Sequence, residues 1–260
     1  MGCCSSRNFT NQSCESLIQN CEKYLNIHKC KSLDIDRITH RNSYNLLMSK
    51  IQFELTCKHL GLNFKDEVFS DFFMQIYKEK KHSYCVRQFS LLGIFLGIGS
   101  KEEKAQLLFQ NYDLDASNTL TCEEIEYMLK EICKVSFLYL TALALRLTSL
   151  EERTLIEKYR NELMNIRDTI VQVFMTQIFE DYTGEITLDE FKKLFEKSHI
   201  AILINPSEMR KYSIFLFNKV LDKVQAVKAF INNPELIDKE IRNKLQLNKG
   251  EKKKIKITLG

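Results

Sequence analysis

Tryptophan is absent, and only two prolines and eight glycines interrupt the 260 residues, with both prolines lying past position 200. Breakers this sparse exclude a many-turned β-fold and point to long helices. No apolar run is long enough to span a bilayer. The longest, from Val135 to Leu150, carries Arg146 and falls short of the ~20 residues a spanning helix needs. Nine cysteines are an odd number with no C-x-x-C pair, and no secretory apolar segment opens the chain. Free thiols in a reduced cytosolic compartment are therefore expected. The formal charge of +4 is too mild to argue for nucleic acid. Its excess gathers in the closing stretch that contains Lys249, Lys252, Lys253, Lys254 and Lys256. No glycine-rich phosphate loop, HExxH or GxSxG is present, and the five histidines (His28, His40, His59, His82, His199) are scattered, so no enzyme is expected.

The first residues, Met1-Gly2-Cys3-Cys4-Ser5-Ser6, match the N-myristoylation pattern. Gly2 is the amine to be acylated, and Cys3 and Cys4 offer thiols for palmitoylation beside it. One acyl chain anchors only marginally and a second makes the anchorage stable, so the three residues are read together as a lipid anchor. Residues 1–40 are expected to be its tether, with one short helix around Ser16–Tyr24.

An apolar grid recurs three times in the body of the chain. Ala105, Leu108, Phe109 and Tyr112 line one helical face, and Ile125, Met128, Leu129 and Ile132 line another. Between them runs the oxygen-rich stretch from Asp113 to Glu124. Ser100 with Glu103, and Thr121 with Glu124, predict capping boxes at the two helix starts. A second copy has Val171, Phe174, Met175 and Ile178 before, and Phe191, Leu194 and Phe195 after, the stretch from Phe179 to Glu190. A third has Phe69, Phe72, Phe73 and Ile76 before, and Phe89, Leu92 and Leu96 after, a stretch rich in Lys78, Lys80, Lys81 and His82 that would repel a dication. The 36-residue step from Tyr77 to Asp113 suits a pair built from the third and first copies.

The stretch from Asp113 to Glu124 resembles the EF-hand calcium loop. The resemblance implies side-chain ligands from Asp113, Asp115 and Ser117, a backbone carbonyl from Thr119, a water-mediated contact from Thr121 and a bidentate Glu124. Asn118 stands where the family has glycine, and asparagine is among the few other residues that visit the left-handed region. In the second loop Asp181, Thr183, Glu185 and Glu190 make at most a vestigial site, because Phe179 occupies the first ligand position. From about Phe69 to Ser198 the chain resembles the neuronal calcium sensor and calcineurin B group, which implies an all-α fold of paired EF-hand lobes with a groove for an amphipathic target helix.

Val135–Leu147 is apolar nearly all round and should be buried. Ser149 with Glu152 predicts a helix from Leu150 to Ile178, and Asn205-Pro206-Ser207-Glu208 predicts another start. A further helix is expected after Pro234. The chain thus reads as a tether (1–40), an N-terminal EF-hand pair (41–134), an inserted helix with a degenerate hand (135–198), and C-terminal helices with a basic tail (199–260). The function expected is a calcium sensor or adaptor held by acyl chains at the cytoplasmic side of a membrane, with at most one Ca2+ site and a protein target. The alternative is a calcium-independent structural subunit of a cytoskeletal or ciliary assembly.

Overall fold

The computed structural model describes residues 14–182 and 184–232, with side chains as far as Lys219. Gly2, Cys3, Cys4, Thr183, the helix expected after Pro234 and the lysine-rich closing stretch lie outside the described residues. The fold is predominantly helical, with five short strands among the described residues. Residues up to Ile214 form one unit, and those from Phe215 a second.

Helix α1 (14–23) leads through a 3-10 turn to α2 (Ser32–Arg41), β1 (Leu47–Met48), α3 (Lys50–His59) and α4 (Glu67–Met74). Then come β2 (Tyr77–Lys78), β3 (Ser83–Cys85), α5 (Val86–Leu96), α6 (Lys101–Tyr112), β4 (Thr119–Leu120) and α7 (Cys122–Cys133). A π-helical turn (Lys134–Tyr139) joins α7 to α8 (Leu140–Leu147). The 29-residue α9 (Leu150–Ile178) precedes β5 (Ile186–Thr187), α10 (Leu188–Leu194), α11 (Ser198–Ala201) and α12 (Pro206–Asn232).

Local chemistry sets the helix starts. The capping boxes expected at Ser100–Glu103, Thr121–Glu124 and Ser149–Glu152 all form, and Ser49–Gln52 and Thr187–Glu190 add two more. Each such cap contributes about 1 kcal/mol. At α12 the Asn205 side-chain oxygen accepts from the backbone N–H groups of Ser207 and Glu208, at 3.1 and 3.2 Å. The apolar grid is core as expected: Ala105, Leu108, Phe109, Tyr112, Ile125, Met128, Leu129 and Ile132 are all buried.

Two expectations are corrected. Spacing suggested that the stretches 77–88 and 113–124 pair, but β4 lies antiparallel to β5, with Leu120 opposite Ile186. Strand β3 instead joins β2 and β1, placing Met48 opposite Tyr84. The inserted residues explain this: α8 runs out and α9 returns packed against both α8 and α7, which carries residue 186 back to residue 120. Nor are residues 14–40 a free tether. Cys14, Ile18, Cys21 and Leu25 of the first helix and its following turn are buried, as are Ile27 and Ile35. Burial pushes the Cys14 and Cys21 thiols up to about 11, so they stay neutral at physiological pH.

The chain around Cys30–Ser32 is zipped to the end of α5. Ser32 N–H donates to Ile98 O and Ile98 N–H to Cys30 O, both at 2.8 Å, and the Ser32 hydroxyl donates to Gly93 O at 2.9 Å. A Cβ on Gly97 would sit 2.5 Å from Gly93 O and 2.8 Å from Ser32 Oγ. Gly97→Ala is therefore expected to destabilise by about 1–3 kcal/mol through overpacking. Equilibrium urea unfolding of the two proteins measures it, and an unchanged midpoint would contradict the close packing.

A buried ionic cluster ties α1 to the start of α12. Arg210 is fully buried; its Nε donates to Glu15 Oε1 at 2.7 Å, and its Nη2 donates to Glu15 Oε2 and Glu22 Oε1, both at 3.0 Å. The Tyr159 hydroxyl of α9 donates to Glu15 at 2.6 Å, and Arg210 Nη1 donates to Ser136 O at 3.2 Å.

Candidate metal centre

Helix α6 ends at Tyr112 and α7 begins at Cys122, so the intervening turn must reverse the chain within a few residues. Ala116 and Asn118 take up that reversal with φ of +57° and +63°. Asn118 therefore occupies the left-handed conformation that its place in the loop requires. The turn is held by carboxylates: Ser117 N–H donates to Asp113 Oδ1 and Asp115 Oδ1 at 3.0 Å each, and Asn118 N–H donates to Asp113 Oδ2 at 3.1 Å.

Folding the loop this way gathers one carboxylate oxygen each from Asp113, Asp115 and Glu124 within 4.8 Å of one another. Glu124 is 7% exposed, Asp113 half-buried and Asp115 exposed, so the group opens to solvent on one side. Glu124 Oε1 accepts from Leu114 N–H at 2.8 Å, and its Oε2 accepts from the Thr121 N–H and hydroxyl at 2.9 Å each. Hydrogen bonds from Ser117 hold the Asp115 carboxyl below its ordinary range. The donors are oxygens alone. Such a set suits a hard divalent cation, Ca2+ or Mg2+, rather than a metal that prefers nitrogen or sulfur.

Of the six residues singled out in the sequence, Asp113, Asp115 and Glu124 form the cluster. Ser117 and Thr119 lie on the same loop with their hydroxyls 3.0 Å apart, and Thr121 caps α7. In the other loop Asp181 and Glu185 are engaged elsewhere, and Glu190 sits in a capping box as Glu124 does. Asp181 pairs with Lys197 at 2.6 Å, Glu190 accepts from Thr187, and Glu185 accepts from the Thr119 hydroxyl at 2.6 Å. The Thr119–Glu185 bond ties the two loops beside the β4–β5 ladder. Sequence spacing had no means of finding it, because it follows from which loops pair.

Neither the family models nor the curated proteins nor the solved structures give a match to this chain. The geometry of the site itself must carry the reading.

Proposed function

We propose that the chain is a calcium-binding sensor or adaptor of the EF-hand type, with a single ion site at Asp113–Glu124. In this reading β4–β5 and β1–β3 are the cross-links of two EF-hand pairs, and the stretch 41–52 is the first, vestigial loop. The observation that carries it is the convergence of Asp113, Asp115 and Glu124 in a twelve-residue helix–loop–helix turn. A bound Ca2+ would supply positive charge that the three carboxylates neutralise, taking 6–8 oxygen ligands in all. Glu124 links the ion to the fold, because it is both the last loop residue and part of the first turn of α7. Recruiting both its oxygens exchanges the bonds to Leu114 and Thr121 for metal contacts. That pulls on the helix whose Ile125, Met128, Leu129 and Ile132 lie in the core. A protein target would read the resulting shift. Acylation at Gly2, Cys3 and Cys4 would hold the protein at a cytoplasmic membrane face; among the described residues no helix is long and apolar enough to cross one.

Isothermal titration of Ca2+ into the full-length protein tests the reading. One site with Kd in the roughly 10⁻⁷–10⁻⁵ M range is expected. Glu124→Gln should weaken it by about a hundredfold, some 2.7 kcal/mol. No binding by the parent protein would remove the sensor and leave a structural helical subunit, the role that the engaged Asp181 and Glu185 of the 179–190 loop favour.

A further inference from the structure

The first strand ladder carries a cavity of the opposite sign. It measures about 530 Å³ and is bordered by the β1 turn, the 78–81 segment, Arg87 of α5 and Tyr127 of α7. Lys78, Lys80, Lys81 and Arg87 line it against a single carboxylate, that of Glu79. None of these four cations is in an ion pair among the described residues. The Arg87 Nε is buried without an acceptor, and the guanidinium lies 5.9 Å from the centre of the Tyr127 ring.

The rim formed by Asn45 and Leu46 is strained. Asn45 and Leu46 both hold left-handed φ values, +49° and +57°, in a tight turn closed by two hydrogen bonds between Tyr44 and Leu47. A leucine in that region costs of order 1–2 kcal/mol, and such strain gathers at ligand clamps. A cleft lined mostly by one sign of charge concentrates counter-ions. Lysine binds phosphate as a point charge and arginine as a fork, so four converging cations favour a compact polyanion over an extended acidic peptide. The cavity's two rings make contacts within the fold: Tyr127 meets Arg87 and, T-shaped, Tyr112, and Tyr77 meets Tyr84, T-shaped, at 5.0 Å. The recognition groups gathered here are cations, so several phosphates carried on one small ring engage them more fully than the single phosphate chain of a nucleotide.

We infer that this cavity binds a small, multiply phosphorylated saturated ring of the inositol-phosphate class, free or as a lipid headgroup. The site is separate from the acidic loop, so it is tested in calcium-free buffer and again in Glu124→Gln, where binding should be unchanged. Inositol 1,4,5-trisphosphate is titrated into the full-length protein and into Lys80→Ala/Lys81→Ala. Both lysines are exposed, so the variant should keep its circular dichroism and melting temperature. One site is expected, weakened roughly thirtyfold in the variant, about five- to sixfold per lysine. Sedimentation with phosphatidylcholine vesicles containing phosphatidylinositol 4,5-bisphosphate separates the sources. Capture that the variant loses identifies the headgroup, and trisphosphate binding without capture identifies the free ligand. No trisphosphate binding, equal binding by the variant, or ATP binding as tightly would each overturn the inference.

Discussion

Replacing Arg210 with alanine is expected to cost the fold about 3–5 kcal/mol. The side chain is fully buried and bonds both Glu15 and Glu22. Truncation would leave two carboxylates in the interior without a counter-charge, and restoring them to water requires α1 to detach. Removing the whole cluster should be far milder. Glu15→Leu, Glu22→Leu, Arg210→Met and Tyr159→Phe together exchange desolvated charge for packing and should recover most of the loss. Urea unfolding of both variants decides, and a small effect from Arg210→Ala would mean that water reaches the cluster.

The same cluster makes stability depend on pH. Burial pushes the Glu22 carboxyl above its ordinary range, and Arg210 only partly offsets this. A carboxyl with a raised folded-state pKa binds its proton more tightly in the native protein than in the unfolded chain. Its stabilising contribution is fully present below the ordinary carboxylate range and is lost as pH rises through the raised value. Glu22→Gln should flatten that part of the stability–pH curve, measured by denaturant midpoints across mildly acidic pH. A curve of unchanged shape would show that Glu22 is not its source.

Phe53→Ala should be as damaging as the loss of Arg210, about 3–5 kcal/mol. The Phe53 ring stacks on Tyr84 at 3.9 Å and meets Phe73 and Phe89 edge-on at 5.1 and 5.8 Å. It therefore sits behind the Met48–Tyr84 ladder and joins α3, α4 and α5 at one point. Truncation would leave a void that the surrounding rings, fixed on β3, α4 and α5, can fill only in part. A drop in the denaturant midpoint at constant m-value is the expected signature. A reduced m-value would instead report a loosened native state.

Helix ends were legible because capping is local. Ser100, Thr121 and Ser149 each meet their glutamate three residues on, and the start of α9 follows from the last of these. The metal-ligand candidates were legible for the same reason, since Asp113, Asp115 and Glu124 lie within one short loop. Pairing of the loops was not legible. The 36-residue step from Tyr77 to Asp113 suited a pair, but the return of α9 against α7 and α8 selects the 66-residue step from Asp113 to Phe179. Helix α1 was underestimated because its apolar residues, Cys14, Leu17, Ile18 and Cys21, are few and interspersed with polar ones. Arg210 gave no signal at all: an arginine among Met209, Lys211 and Tyr212 reads as surface until carboxylates from the far end of the chain are placed against it.

That distance matters while the chain is being made. Glu15 and Arg210 lie 195 positions apart. At about 5–20 residues per second, α1 must wait roughly 10–40 s after its own synthesis before Arg210 has been added to the chain. Until then its two carboxylates lack the guanidinium that neutralises them. The ribosome therefore finishes almost the entire fold before the first described helix can be locked down.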